Sequence, residues 1–174
     1  KFKLLAAFAP EKAAEEVFRL FCTPTPGFTD GTPAAFAYAE ALYIKINNVR
    51  LKGFRWNKGK NKKVLIVHGF SSSSYKFQGY IIPLMEKEYE VVAFDAKAHG
   101  ESSGETLNAV EYAKMLEKII KVFGPFDGFI AHSFGCLALT LALEKTPHED
   151  NIKMVLIAPA TETTTAVSTA FKKL

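Results

Sequence analysis

From Lys63 onward, short and nearly continuous apolar runs alternate with segments whose apolar residues recur at helical spacing. The runs at 64–67, 91–94, 129–131 and 154–157 are too short for helices and rich in Val, Ile, Leu and Phe. Runs this apolar predict strands covered on both faces, as in the middle of a parallel sheet. Between them, residues 75–87 predict a helix. A second carries Val110, Ala113, Leu116, Ile120 and Phe123 along one face, and a third runs through Leu137, Leu141 and Leu143. Strand–helix alternation implies right-handed crossovers and a helix layer on each face.

Ahead of this region the period changes to two. Leu42, Ile44 and Ile46 alternate with Tyr43 and Lys45, Asn47-Asn48 is a turn, and Val49 to Trp56 gives a second strand. The pair predicts an antiparallel hairpin. Earlier still, Pro10 opens a helix in which Ala14, Val17, Phe18 and Phe21 recur at helical spacing, and Pro24-Thr25-Pro26-Gly27 ends it. Its polar face mixes Glu with Lys and Arg, so packing on the body of the domain is expected rather than a membrane surface. The expected organisation is an N-terminal helix and loop over 1–41, an α/β core over 42–160, and the start of a cap segment over 161–174. There is no internal repeat and no clear linker.

The length of 174 residues suits one domain with a substantial core. No apolar run approaches the roughly 18 residues of a membrane span. Lys1-Phe2-Lys3 followed by Leu4 to Ala9 imitates a signal peptide, but that stretch is shorter than the ~7–15 residues of a real one and Pro10-Glu11-Lys12 follows at once. A structural N-terminus is expected, although Lys1 is not expected to be the native start. Two cysteines, Cys22 and Cys136, lie far apart without a metal-ligand or disulfide pattern, which favours a reducing, cytoplasmic setting. The net charge of +4 is modest, and its densest stretch, Lys58 to Lys63, contains Gly59 and Asn61. A solvated turn is expected there, not a nucleic-acid patch.

In open parallel sheets, ligands bind beyond the carboxyl ends of the strands. The residues that follow each run are therefore the informative ones. Ala131-His132-Ser133-Phe134-Gly135 lies between a buried strand and an apolar helix. That is the form of a nucleophile elbow, small-x-Ser-x-Gly, in which the turn is so tight that the residues two before and two after the serine must be small. Ser133 would stand at a helix N-terminus, where backbone N–H groups favour an oxyanion. The competing reading is a serine that merely caps the helix. His68-Gly69-Phe70 closes the run at 64–67. Gly69 would permit a turn that aims the Phe70 N–H at the developing charge, with the Phe134 N–H as its partner. Asp95-Ala96-Lys97-Ala98-His99-Gly100-Glu101-Ser102 follows the run at 91–94. Asp95 and His99 precede the serine, so a structural role beside the pocket is expected for them and for Gly100. Ser71 to Ser74 could cradle a phosphate, but the Gly-rich dinucleotide and Walker patterns are absent, and a polar loop leading into a helix is expected.

Together these three stretches resemble the α/β-hydrolase superfamily, over about Leu42 to Ala160. Within it the chain most resembles small bacterial esterase-like hydrolases with a helical segment ending in a Phe-Cys-Thr-Pro-like sequence, here Phe21-Cys22-Thr23-Pro24. The resemblance implies a mostly parallel sheet with an antiparallel N-terminal hairpin and helices on both faces. It also implies a carboxylesterase-, lipase- or thioesterase-like hydrolase that cleaves an ester, thioester or amide through a Ser133 acyl-enzyme. No cofactor and no metal are expected. Ala131 stands where the family usually has Gly. The family order is nucleophile, acid, then His. His148 is the only later histidine, and it falls at the amino end of the next strand, as do Glu144 and Glu149. Glu162 alone follows a strand's carboxyl end, although Thr163 to Leu174 reads more like a cap. The family's sheet would continue with two more strand–helix units of about 30 residues each. The chain thus reads as truncated after its sixth strand, with acid and base beyond Leu174 and little turnover by itself. The missing histidine motivates a second reading, a non-catalytic member that binds a ligand or partner. A Rossmann-type cofactor protein would fit the alternation but lacks the glycine fingerprint.

Overall fold

The computed structural model describes residues 8–25, 31–148 and 151–161. Six strands form one sheet: β1 (Glu40–Ile46), β2 (Val49–Trp56), β3 (Lys62–Val67), β4 (Tyr89–Phe94), β5 (Gly128–His132) and β6 (Lys153–Ile157). Their spatial order is β1-β2-β4-β3-β5-β6. The helices are α1 (Pro10–Phe21), α2 (Gln78–Glu86), α3 (Ala109–Phe123) and α4 (Phe134–Lys145), with 3₁₀ turns at Ala34–Tyr38 and Ser74–Phe77.

β1 and β2 pair antiparallel, with Ile46 opposite Val49. Asn47 and Asn48 have φ of 46° and 66°, the left-handed backbone that a two-residue hairpin turn demands and that Asn tolerates. β2 also runs antiparallel to β4, whereas β3 is parallel to both β4 and β5, and β5 to β6. The central strands explain their own apolar sequences. Leu65, Val92, Phe94 and Phe129 face α3 and α4, against Leu116, Ile119 and Leu139. Ile66, Val91 and Ala93 face the other way, against Trp56, Phe77 and Ile81. Burying one such aliphatic side chain contributes about 1.5–3 kcal/mol, so the doubly covered strands hold the middle of the sheet rigid.

Several expectations need correction. β6 was expected to be buried like the other runs, but Met154 and Val155 are 48% and 52% exposed. It pairs only with β5 and stands at the edge, where no described element covers it. In α1 the inward residues are Ala13 and Val17, continued by Cys22, while Ala14, Phe18 and Phe21 face solvent. The helix meets the domain along one margin of its apolar arc, tied by the Cys22 carbonyl accepting from the Leu107 amide at 2.8 Å. In α3, Val110 is exposed, and Tyr112, Met115 and Ile119 join Ala113, Leu116 and Ile120 in the core. α3 packs against both the sheet and α4, so its buried arc is wider than one stripe. α4 buries Ala138, Leu139, Ala142 and Leu143, leaving Leu137 and Leu141 half-buried, because alanines allow close approach to the neighbouring layer.

Glu149, Glu162, Pro26, Gly27, Lys1 to Ala7 and residues 162–174 of the expected cap segment lie outside the described residues. Among the described residues no helix is long and apolar enough to cross a membrane. The basic turn between β2 and β3 is locally neutralised. Lys58, Lys60 and Lys63 lie 3.5, 2.8 and 3.3 Å from Glu40, Glu88 and Glu90.

α3 starts with a capping box. Asn108 Oδ1 accepts from the Glu111 amide at 2.9 Å, and Glu111 Oε2 accepts from the Asn108 amide at 3.3 Å. Asn108→Ala is expected to cost about 1 kcal/mol, read as a lower urea midpoint at unchanged slope.

Candidate active site

β5 ends at His132, α4 begins at Phe134, and Ser133 between them adopts φ 50°, ψ −118°. This left-handed backbone is costly for a residue with a side chain and persists only where packing enforces it. The packing is visible on both sides. Gly135 lies against the end of β3: a Cβ there would collide with the His68 carbonyl oxygen and come within 3.0 Å of the Val67 carbonyl oxygen. Ala131, two before the serine, is fully buried, so the methyl that replaces the usual hydrogen is accommodated. Gly69 closes the other side. A Cβ there would lie 2.9 Å from His132 Nδ1 and 3.2 Å from Ser133 Cβ. The turn after β3 therefore presses directly on the serine and on the His132 ring.

Ser133 occupies the N-cap position of α4, yet its side chain makes no capping bond. Its backbone does the anchoring: the amide donates to Ile157 O at 2.9 Å, and its carbonyl accepts from Cys136 N and Ala160 N. Among the described residues neither the Phe70 amide nor the Phe134 amide donates a hydrogen bond. Their rings meet edge to face at 5.5 Å, which brings the two turns together.

A buried polar network supports the turn after β3. The Tyr112 hydroxyl donates to His68 O at 2.9 Å. His68 Nε2 accepts from the Ala96 amide at 2.9 Å, and Nδ1 lies 2.7 Å from Gly69 O. An amide can only donate, so Nε2 is the bare nitrogen and Nδ1 carries the proton. His99 repeats the arrangement, with Nε2 accepting from the Ser71 amide at 3.0 Å and Nδ1 donating to Lys97 O at 2.8 Å. Burial pushes both histidines below their usual range, His68 to about 4, against the opposing pull of the Asp95 carboxylate. Asp95 itself accepts from the Ser74 and Glu101 amides at 2.8 and 2.9 Å. Gly100, at φ 50°, leaves room for that carboxylate, where a Cβ would collide with it. Asp95 and His99 thus tie the loop after β4 to the turn after β3.

Tyr112 escaped the sequence reading. Its helical phase with Leu116 and Ile119 is the available signal, since a tyrosine on a buried face needs a partner for its hydroxyl. Thr25 escaped as well. Its amide and Oγ1 both approach Ser71 Oγ at 3.0 Å, holding the N-terminal strap to the residue after Phe70. His148 is exposed at the amino edge of the sheet, with Nδ1 2.8 Å from Thr146 O. A cleft of about 370 Å³ opens between Pro24-Thr25, Ser72-Ser73 and the loop from Asp95 to Glu101. Ser133 does not line it. No cluster of potential metal ligands occurs among the described residues.

A mostly parallel sheet in this order, with a strained serine between its fifth strand and the following helix, is the α/β-hydrolase fold. The family model Hydrolase_4, described as serine aminopeptidase S33, matches residues 58–174, and the chain belongs to this family. Among solved structures, the Pyrococcus furiosus esterase Pf2001 is similar in two crystal forms. One is 29% identical, with a TM-score of 0.53 over 67% of this chain and 50% of that one. The other is 24% identical, with a TM-score of 0.64 over 88% of this chain and 62% of that one. A thioesterase domain from the curacin biosynthetic pathway shares the fold at 22% identity and a TM-score of 0.61, over 78% of this chain and 53% of that one. The chain spans between half and two thirds of the esterase. No curated protein matches the sequence.

Gly135→Ala forces the elbow off the end of β3, and overpacking of this kind is expected to cost about 1–3 kcal/mol, measured by urea denaturation. Acid should also destabilise the fold. Burial lowers both histidines, so the stability they contribute is present above pH 6.5 and lost in acid, for His68 as the pH falls towards 4. His68 contributes a slope of up to about 1.4 kcal/mol per pH unit in that window, and His99→Gln, which removes the second lowered histidine, should make the loss in acid shallower.

Proposed function

We propose that the whole protein is a serine hydrolase acting on an ester, thioester or amide through a Ser133 acyl-enzyme. The observation that carries this reading is the Ser133 hydroxyl. It occupies an N-cap position without capping, in a backbone conformation that only tight packing sustains. A serine that merely capped α4 would make that bond and need no strain.

In the mechanism, Ser133 Oγ attacks the substrate carbonyl carbon and the carbonyl oxygen becomes an oxyanion. The free amides of Phe70 and Phe134 receive it, aided by the positive end of α4. A histidine accepts the Oγ proton and returns it to the departing alcohol, thiol or amine. Water then attacks the acyl-enzyme by the same route in reverse. This histidine and the acid that orients it are proposed to follow Leu174, with Glu162 the one candidate acid within the chain. The esterase and thioesterase neighbours support a carbonyl substrate of this kind.

One observation favours a second reading, a binding protein without catalysis. Of the chain's four histidines, His68 and His99 are locked in structural bonds, His132 packs on Gly69, and His148 is at the opposite sheet edge. A fluorophosphonate probe separates the readings. It is expected to label Ser133 in the full-length protein, and Ser133→Ala should lower ester hydrolysis by about 10³-fold or more. Absence of labelling favours the binding protein. The 174-residue chain alone is expected to turn over p-nitrophenyl acetate slowly, with no further loss on Ser133→Ala, because an unassisted serine is a weak nucleophile.

A further inference from the structure

Cys22 to Thr25 form a strap from the end of α1 to the turn after β3. Cys22 is buried, and its carbonyl accepts from the Leu107 amide at 2.8 Å, directly ahead of the α3 capping box. Thr23 Oγ1 donates to the Arg19 carbonyl at 2.7 Å and closes the helix, which Pro24 cannot extend. Thr25 then meets a residue 46 positions later: its amide and its hydroxyl both lie 3.0 Å from Ser71 Oγ. The sequence Phe21-Cys22-Thr23-Pro24 is therefore an anchor that delivers Thr25 to this place.

Ser71 is a residue that needs holding. Its φ is 52°, the left-handed backbone that a residue with a side chain enters only at a cost and keeps only while its surroundings enforce it. Thr25 secures its hydroxyl, and its amide donates to His99 Nε2 at 3.0 Å. The residue before it is Phe70, whose ring packs edge to face on His99 and on Phe134. The Phe70 N–H shares one planar peptide with the Gly69 carbonyl, which accepts from His68 Nδ1. That peptide is thus held by His68 on its Gly69 side, and the backbone beyond it is held at Ser71.

We propose that Thr25 is a positioning residue: through Ser71 Oγ it holds the strained turn that presents the Phe70 amide to the oxyanion. The kinetic consequence rests on the Ser133 reading, whereas the hold on the turn does not. Losing an oxyanion donor outright costs about 10²–10³-fold in kcat. With His68 still holding the Gly69 carbonyl, loss of the strap should cost less, about tenfold. The experiment uses the full-length protein and p-nitrophenyl acetate. Ser71→Ala, which removes both bonds to Thr25, should lower kcat about tenfold at unchanged KM. Thr25→Val keeps the amide bond and should lower kcat about threefold; at an exposed position, it guards against misfolding of the Ser71 variant. Thr25→Ser, which keeps both bonds, should match wild type. An aryl trifluoromethyl ketone, whose adduct with Ser133 carries the oxyanion, should lose affinity in the same proportion as kcat. Unchanged kcat in both weakened variants overturns the proposal. So does a loss confined to KM, which would make Thr25 only a wall of the adjoining cleft. If wild type hydrolyses no ester and takes no fluorophosphonate, the Ser133 reading fails separately. Amide exchange at position 71 then decides: about tenfold faster exchange in Ser71→Ala supports the hold on the turn, and an unchanged rate overturns it.

Discussion

The contact between the β5–α4 turn and the end of β3 governs the carboxyl edge of this sheet. At Gly135 the helix backbone lies so close to the His68 and Val67 carbonyls that no side chain fits. That closeness holds Ser133 at positive φ, and it places the serine beside Gly69 and the turn that follows. Neither turn would be stable in its observed form without the other. The rigid parallel strands on either side supply the force, because β3 and β5 are register-locked from Val64–Gly128 to Val67–Ala131.

The polar residues beneath the turn serve the same contact. Buried polar groups are costly unless paired, and here the pairing is nearly complete. His68 and His99 are neutral, each accepting one backbone amide and donating to one carbonyl. Asp95 binds two amides and sits between them in the chain. Tyr112 reaches up from α3 to the His68 carbonyl that also abuts Gly135. Two histidines and an aspartate at the carboxyl edge of the sheet could be mistaken for catalytic groups. Their hydrogen bonds are spent on backbone, which makes them the frame that positions the turn after β3. The exception is Ser74, whose hydroxyl is buried without a partner.

Much of this was legible in the residues. Alternating apolar runs announced the parallel sheet, and Asn47-Asn48 announced the hairpin. The spacing of Ala131, Ser133 and Gly135 announced the tight turn between β5 and α4, because such turns admit few residue types. Other features were hidden for physical reasons. The apolar run of β6 looks like the central strands, yet burial depends on neighbours, and β6 has one only on its β5 side. In α1, Phe18 and Phe21 repeat at the period of a packed face, yet the helix rests on Ala13 and Val17. Periodicity shows that an apolar arc exists, not how much of it is covered.

By itself, then, the sequence determined the class of fold and the tight turn around Ser133. These follow from local rules: period, turn sterics and the short range of backbone clashes. Only the tertiary structure decided that Tyr112 braces His68, that Thr25 ties the N-terminal strap to Ser71, and which protons the buried histidines carry. Those depend on groups 44, 46 and 28 positions apart in the chain meeting at hydrogen-bond distance. No local pattern encodes such meetings, because they arise from how the layers stack.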